Sequence, residues 1–380
     1  MKITSIEPTP SPHSMKVNID ETLPDGENKN IQHGDDLANS PDYIQNLFAI
    51  DGVKGIYQVQ DFITLQRHPR TRWEDILPEV RNVLGSVEED TDDMQTDTAH
   101  VDDHFGEIAV SIQMFRHIPM QVKLQDGIKE ERFGLPNYFS HAVMKASEAS
   151  GNMLMERKWV EQSPRYGDMQ EIGTDIVEEI KATYDEDRVA ALVQTALTST
   201  AGTPPEPRTG IKVTVDMLDH PDWKERYAAL DRMDPMIDDL DVLDKALDDD
   251  KASVRRLATA FLGMIEEPEV LPYLYKALKD KAVNVRRTAG DCLSDLGFKE
   301  AIPEMIRTLE DPSRIVRWRA AMFLYEVGDD TAIPALKKAL DDPEFEVRMQ
   351  VKMALARIEG GEEAQGSIWH QMTQATQQQK

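Results

Sequence analysis

Four basic residues, Lys245, Lys276, Arg307 and Lys338, stand 31 residues apart in a chain whose formal net charge is -27. Cations in register on successive helices can form a stripe for an acidic peptide or a phosphate-bearing partner. Each also precedes an aspartate by four (Asp249, Asp280, Asp311, Asp342), so i,i+4 pairs on a solvated helix face are the competing reading. A second column, Arg226, Arg255, Arg286, Arg317 and Arg348, reads as structural: each can pair with an aspartate of its own or the adjacent repeat. Trp318, flanked by Arg317 and Arg319, is either an interface anchor or a packing residue between repeats. Thr9-Pro10-Ser11-Pro12, followed by Met15 and Lys16, is either a docking loop or a rigid turn between strands.

Catalytic signatures are absent. The nine histidines are scattered, with no HExxH spacing and no His-Glu dipeptide, and there is no Gly-rich phosphate loop or G-x-S-x-G elbow. Asp102, Asp103, His104 and Glu107 could ligate a metal, but the acidic composition around them explains them as well. The single cysteine, Cys292, excludes an internal disulfide, a CxxC pair and a cysteine-rich metal site. It shares a column with Phe261, Phe323 and Ala354, which marks it as a core residue. No enzyme activity, cofactor or metal site is expected.

The acidic surface argues against nucleic acid and anionic lipid as partners and leaves proteins as the expected ones. The start has no apolar signal region, and no apolar run approaches the roughly 20 residues that span a bilayer, so a cytoplasmic location is expected.

The elements that must position these residues follow from the repeat. Leu247, Leu278, Leu309 and Leu340 share one column; Leu262, Leu293, Leu324 and Leu355 another; Pro272, Pro303 and Pro334 a third. A period of this size signals stacked supersecondary units. Each unit reads as two helices, the first beginning after an Asp in a turn or cap position and the second beginning at the Pro column. A degenerate unit from Leu218 to Arg226 precedes these, so the solenoid is expected over 216–360, with a tail at 361–380. The unit resembles the short HEAT repeats of phycobilin lyases, which implies a solenoid. An enzyme of the lyase or hydroxylase type built on such repeats is the disfavoured alternative.

Residues 1–85 predict an α+β domain: two extended runs from Ile3 to Ile19, a helix from Ala38 to Ile50, a hairpin turning near Asp61 and a helix from Trp73 to Leu84. With Leu47-Phe48-Ala49-Ile50-Asp51-Gly52-Val53 and Asp61-Phe62-Ile63-Thr64, this order resembles the amino-terminal domain of Nfu/NifU scaffold proteins. That resemblance implies a fold and a docking surface, with a link to iron–sulfur assembly proteins as an alternative function. The cluster-binding CxxC domain of that family has no counterpart here.

Residues 86–103 are an acidic linker without Lys or Arg, and 198–215, with Pro204, Pro205 and Pro207, are a second linker. Between them, 104–197 predict a mixed, mostly helical middle domain: strands at Ile108–Ile112 and Gln121–Leu124, then helices near Asn137–Ala149, Asn152–Glu161 and Met169–Tyr184. The whole arrangement, with His104-Phe105-Gly106-Glu107-Ile108, Arg165-Tyr166-Gly167 and Thr288-Ala289-Gly290-Asp291-Cys292, resembles the conserved virulence factor C family of Gram-positive bacteria. The resemblance implies a cytoplasmic factor that supports toxin production and virulence and leaves the mechanism open. With no catalytic constellation and a terminal solenoid, the chain is read as a non-enzymatic adaptor or regulatory scaffold that acts through protein binding.

Overall fold

Alternating apolar residues build the first sheet. Strands β1 (Ile3–Pro8), β2 (Ser14–Ile19), β3 (Asn28–Gln32), β4 (Val53–Val59) and β5 (Phe62–Arg67) are antiparallel in the order β1-β2-β5-β4-β3. Met15, Val17, Ile19, Ile63 and Leu65 face one side and are buried. Helices α1 (Asp42–Phe48) and α2 (Trp73–Leu84) join the same core, where Ile44, Leu47, Trp73 and Ile76 expose no surface. β3 was not legible in the sequence: of Asn28-Lys29-Asn30-Ile31-Gln32 only Ile31 is apolar, so no alternation marks it.

The computed structural model describes residues 1–9, 11, 13–24, 28–37, 40–68, 71–85, 107–126, 129–198 and 210–361. The acidic linker, most of the second linker and nearly all of the tail therefore lie outside the described residues, as do Pro10 and Pro12. These residues form two units: 1–85 with 333–361, and 107–332.

The second unit opens with β6 (Glu107–Phe115), β7 (Ile118–Gln125), β8 (Glu130–Gly134), helix α3 (Asn137–Ser147), a single turn α4 (Met153–Glu156), β9 (Arg157–Tyr166), α5 (Met169–Thr183) and α6 (Glu186–Thr198). The sheet order is β8-β7-β6-β9. The helix expected over Asn152–Glu161 is corrected here. Asn152 accepts hydrogen bonds from the Leu154 and Met155 amides and starts one turn only. The chain then pairs with the open edge of β6, setting Ile112 opposite Val160 and Met114 opposite Lys158. Pairing with a distant strand overrides local helix propensity. Helices α3, α5 and α6 lie over β7 and β8.

The repeats follow as α7 (Trp223–Asp231), α8 (Leu240–Leu247), α9 (Ala252–Leu262), α10 (Leu271–Ala277), α11 (Val283–Leu296), α12 (Ile302–Thr308) and α13 (Arg314–Val327). The sequence of two-helix units continues in α14 (Ile333–Ala339) and α15 (Phe345–Glu359), which group with residues 1–85. Pro272 and Pro303 sit in the first turn of their helices, where a missing N–H costs nothing.

The arginine column ties one repeat to the next. Arg255 Nε and a terminal amino group donate to the two oxygens of Asp280 at 2.6 and 2.9 Å, and Arg286 does the same to Asp311 at 2.8 and 3.1 Å. Arg226 reaches Asp249 at 2.5 and 2.8 Å. The other terminal amino group donates within its own repeat, from Arg255 to the Asp249 carbonyl and from Arg286 to the Asp280 carbonyl. Each aspartate also accepts from the amide two residues on, as Asp249 does from Lys251 and Asp280 from Ala282. The aspartate is thus a turn residue ahead of the cap, and its pairing partner is the arginine of the preceding repeat. The lysine four residues upstream in its own helix looks elsewhere.

In the first unit, α15 rests on the amino-terminal core. Phe345 and Met349 pack against it, and Arg67 donates to Glu346 at 2.8 Å beneath the Trp73 ring. Arg348 reaches Glu74 at 3.2 Å.

Packing inside the repeats is dense. Cys292 is buried against Gly263, where a Cβ would stand 2.4 Å from its sulfur, and burial pushes the thiol up to about 12. It is a packing residue. Glu326 on α13 is also buried, and burial raises its carboxyl to about 7 against the opposing pull of Arg319. In the unfolded chain it ionises near its ordinary 4.5. The folded state therefore holds the proton longer, and stability falls as pH rises from about 4.5 to about 7. Urea titrations of the native chain and Glu326→Gln at pH 5 and pH 8 should diverge, the variant gaining about 3 kcal/mol relative to the native chain at the higher pH. Parallel pH profiles would contradict the assignment.

Candidate functional site

Helices α3, α5 and α6 cover the half of the second sheet formed by β6 and β9 less than they cover β7 and β8, and a cavity of about 780 Å³ opens there. Val110, Ile112 and Met114 of β6 with Lys158, Val160 and Gln162 of β9 are alternate residues whose side chains leave one face of the sheet; they form the cavity floor, with Val160, 43% exposed, at the rim. Its walls come from Ile176, Glu179 and Ile180 of α5 and from the repeats, through Tyr227 and Asp231 of α7 and Arg256 and Leu257 of α9.

The deep wall is charged. Arg165 donates to Glu179 Oε2 at 3.0 Å, and Arg256 approaches the same oxygen at 3.5 Å. Burial of Glu179 would raise its carboxyl, but the guanidinium groups of Arg256 and Arg165 hold it below the usual range. Arg165 is itself lowered, first by burial and then by its neighbour Arg256. Two cations share one carboxylate.

The mouth is built on the β6–β7 turn. Arg116 and His117 both take positive φ, 45° and 68°, in the two-residue loop between the strands, a conformation that favours Asn-Gly. Arg116 is held there by Glu156 at 2.6 Å and by the Ala196 and Ala149 carbonyls. Those hydrogen bonds also bring α4 and the end of α6 to the mouth.

One column of the repeats contributes repeatedly to the face toward the middle domain. It is the residue after each ladder arginine: Tyr227 and Arg256 line the cavity, and Arg287 lies 5.4 Å from the Tyr166 ring centroid and 5.8 Å from that of Trp318. Asn284 takes the Tyr166 amide and donates back to its carbonyl at 2.7 and 2.9 Å, closing the end of β9. The signal was present in the sequence, since Arg256 and Arg287 stand beside invariant-looking arginines while Tyr227, Trp318 and Met349 break the column. Glu179, set between Ile176 and Ile180 on the apolar stripe of α5, was a second one.

The residues singled out from sequence are dispersed. Lys245 pairs with Asp219 at 2.5 Å, Lys276 with Asp244 and Asp248 at 2.8 and 2.9 Å, and Arg307 with Glu304. These partners replace the i,i+4 aspartates, which the arginine ladder engages in the repeats just described. Lys338 lies on α14 in the other unit. Trp318 is 3% exposed, so it takes the packing role and is corrected as a surface anchor. Thr9 Oγ1 donates to the Ser11 and Ser14 carbonyls, which fixes a turn between β1 and β2, and Lys16 lies 4.9 Å over the Phe62 ring. Among the described residues no group of three or more His, Cys, Asp or Glu side chains could hold a metal ion, and no helix is long and apolar enough to cross a membrane.

Comparison with known proteins assigns each segment. The family described as scaffold protein Nfu/NifU N terminal matches residues 3–90, the family described as virulence factor matches 113–193, and HEAT repeats match 211–294 and 271–356. The chain is 55% identical over 381 residues to the Bacillus subtilis protein YpgR, covering 99% of each. It is 46% identical to conserved virulence factor C of Staphylococcus aureus strain MRSA252, covering 99% of this chain and 100% of that one. Among solved structures, Staphylococcus aureus protein SAV1430 is 34% identical over 22% of this chain and 98% of its own, with a TM-score of 0.21.

The left-handed turn at the mouth gives a direct test. His117 is exposed and strained, so His117→Gly should stabilise the chain by about 0.5–1 kcal/mol in urea unfolding. Arg116→Ala should destabilise it, because Glu156 and two carbonyls lose their donor.

Proposed function

The chain belongs to the conserved virulence factor C family, and from that premise we propose that it is a non-enzymatic adaptor that supports toxin production and virulence by binding a protein partner. The observation that carries this reading is the state of β9. It is the edge of its sheet, and Leu154, Met155 and Val160 beside it are 71, 78 and 43% exposed. An open edge flanked by apolar side chains suits addition of an extended segment, with main-chain hydrogen bonds supplying affinity and side-chain pockets supplying selection. A net charge of -27 disfavours nucleic acid and anionic lipid as that partner. The cations of the 31-residue column are less suited to docking, since Lys245, Lys276 and Arg307 already face carboxylates of this chain.

A second reading rests on the Nfu-type match over residues 3–90: an accessory role in iron–sulfur assembly, with docking through residues 1–85. One experiment separates the two. The tagged full chain is captured from its own host beside Leu154→Asp/Met155→Asp and beside the reversal of Lys245, Lys276, Arg307 and Lys338 to Glu. The adaptor reading predicts a specific partner lost at least tenfold by the first variant and retained by the second. A partner lost only by the charge reversal would move docking to the cation column. Recovery of iron–sulfur assembly proteins alone, insensitive to both, would move function to residues 1–85.

A further inference from the structure

The cavity above β6 and β9 has features that strand addition to an outer edge does not use. It is lined by four cations, Arg116, Lys158, Arg165 and Arg256, and by three carboxylates, Glu156, Glu179 and Asp231. In a chain of net charge -27 that local excess of positive charge is against the trend. The carboxylates are each already engaged: Glu156 by Arg116, Glu179 by Arg165 and Arg256, and Asp231 by Arg188 at 3.9 Å. The excess therefore falls on the Arg165–Arg256 pair, which shares one carboxylate, and on Lys158 of the floor. Arg256 Nε is buried and has no hydrogen-bond partner among the described residues, and its contact with Glu179 is long at 3.5 Å. This carboxylate contact is thus both long and shared with Arg165, so the Arg256 guanidinium in the cavity wall favours a second anion. Beside it the surface is apolar, with Ile112 and Met114 on the floor and Val160 at the rim. A volume of about 780 Å³ is that of a small-molecule site.

We propose that this cavity binds an amphipathic organic anion, its single charged head group against Arg256 and its apolar body along Ile112, Met114 and Val160. Arg256 supplies the charge that the head group needs, and a head group removes the repulsion between Arg256 and Arg165. The apolar wall rejects small inorganic anions, which bring no surface to bury. The proposal does not depend on β9 recruiting a protein partner: Met155 and Val160 border both sites, but the partner needs the open main-chain edge of β9 while the anion needs Arg256, so Arg256→Gln separates the two.

Isothermal titration calorimetry of the full chain with decanoate, decyl phosphate, decanol and acetate tests it. Saturable one-to-one binding of decanoate or decyl phosphate is expected, with decanol and acetate at least tenfold weaker. Decanoate alone would assign a carboxylate head group, and decyl phosphate alone a phosphate. Arg256→Gln should weaken binding tenfold or more. Val160→Trp, placed at a half-exposed rim position that tolerates bulk, should block the cavity and abolish binding even if the arginine variant fails to fold. The proposal is overturned if neither decyl anion binds, if decanol binds as tightly, or if Val160→Trp binds like the native chain.

Discussion

One bidentate arginine–aspartate pair per repeat organises the second unit. An arginine guanidinium presents a rigid fork, and an aspartate carboxylate accepts both prongs only when the two helices stand at a fixed separation and angle. Here the arginine is also bonded to the turn of its own repeat, and the aspartate to the amide that follows it. Each pair thus fixes a turn, a helix and the offset to the next repeat together. Arg255 and Asp280 are almost fully enclosed, with side chains 4 and 9% exposed, so neither can be left alone without a large desolvation cost.

With the repeat geometry fixed by that column, the adjacent column is free to differ. Tyr227, Arg256 and Arg287 turn from the same helices toward the middle domain, and Trp318 stacks behind Arg287. A uniform frame therefore carries a non-uniform face. That face covers the sheet where its own helices cover it less, and it supplies the second guanidinium against Glu179. The cavity exists because the frame is regular and its neighbour column is not.

What the sequence disclosed follows the range of the interactions. Helices α9 to α13 and the arginine–aspartate pairing were legible because each depends on neighbours in one repeat or the next, and the repeat prints that environment several times. Trp73–Leu84 was legible as α2 for the same local reason. β9 was not, because Met153 to Glu161 carries no pattern that says strand until β6 offers an edge some fifty residues away in sequence. The cavity was hidden for the same cause: Glu179, Arg165 and Arg256 meet only after three separate elements pack. The cation column illustrates the reverse error. Its spacing was real, but spacing alone could not reveal that Lys276 turns to Asp244 and Asp248 of the previous repeat and not to Asp280.

The claim that repeats are locked by these pairs is tested most directly by a double-mutant cycle on Arg255 and Asp280, read by urea unfolding of the full chain. Arg255→Ala and Asp280→Ala should each cost about 3–5 kcal/mol, since each strands a buried charge. The double variant should cost less than the sum of the two by about 1.5–3 kcal/mol. Additivity within about 0.5 kcal/mol would mean that the two side chains act independently, and the ladder would then be a consequence of helix packing and not its cause.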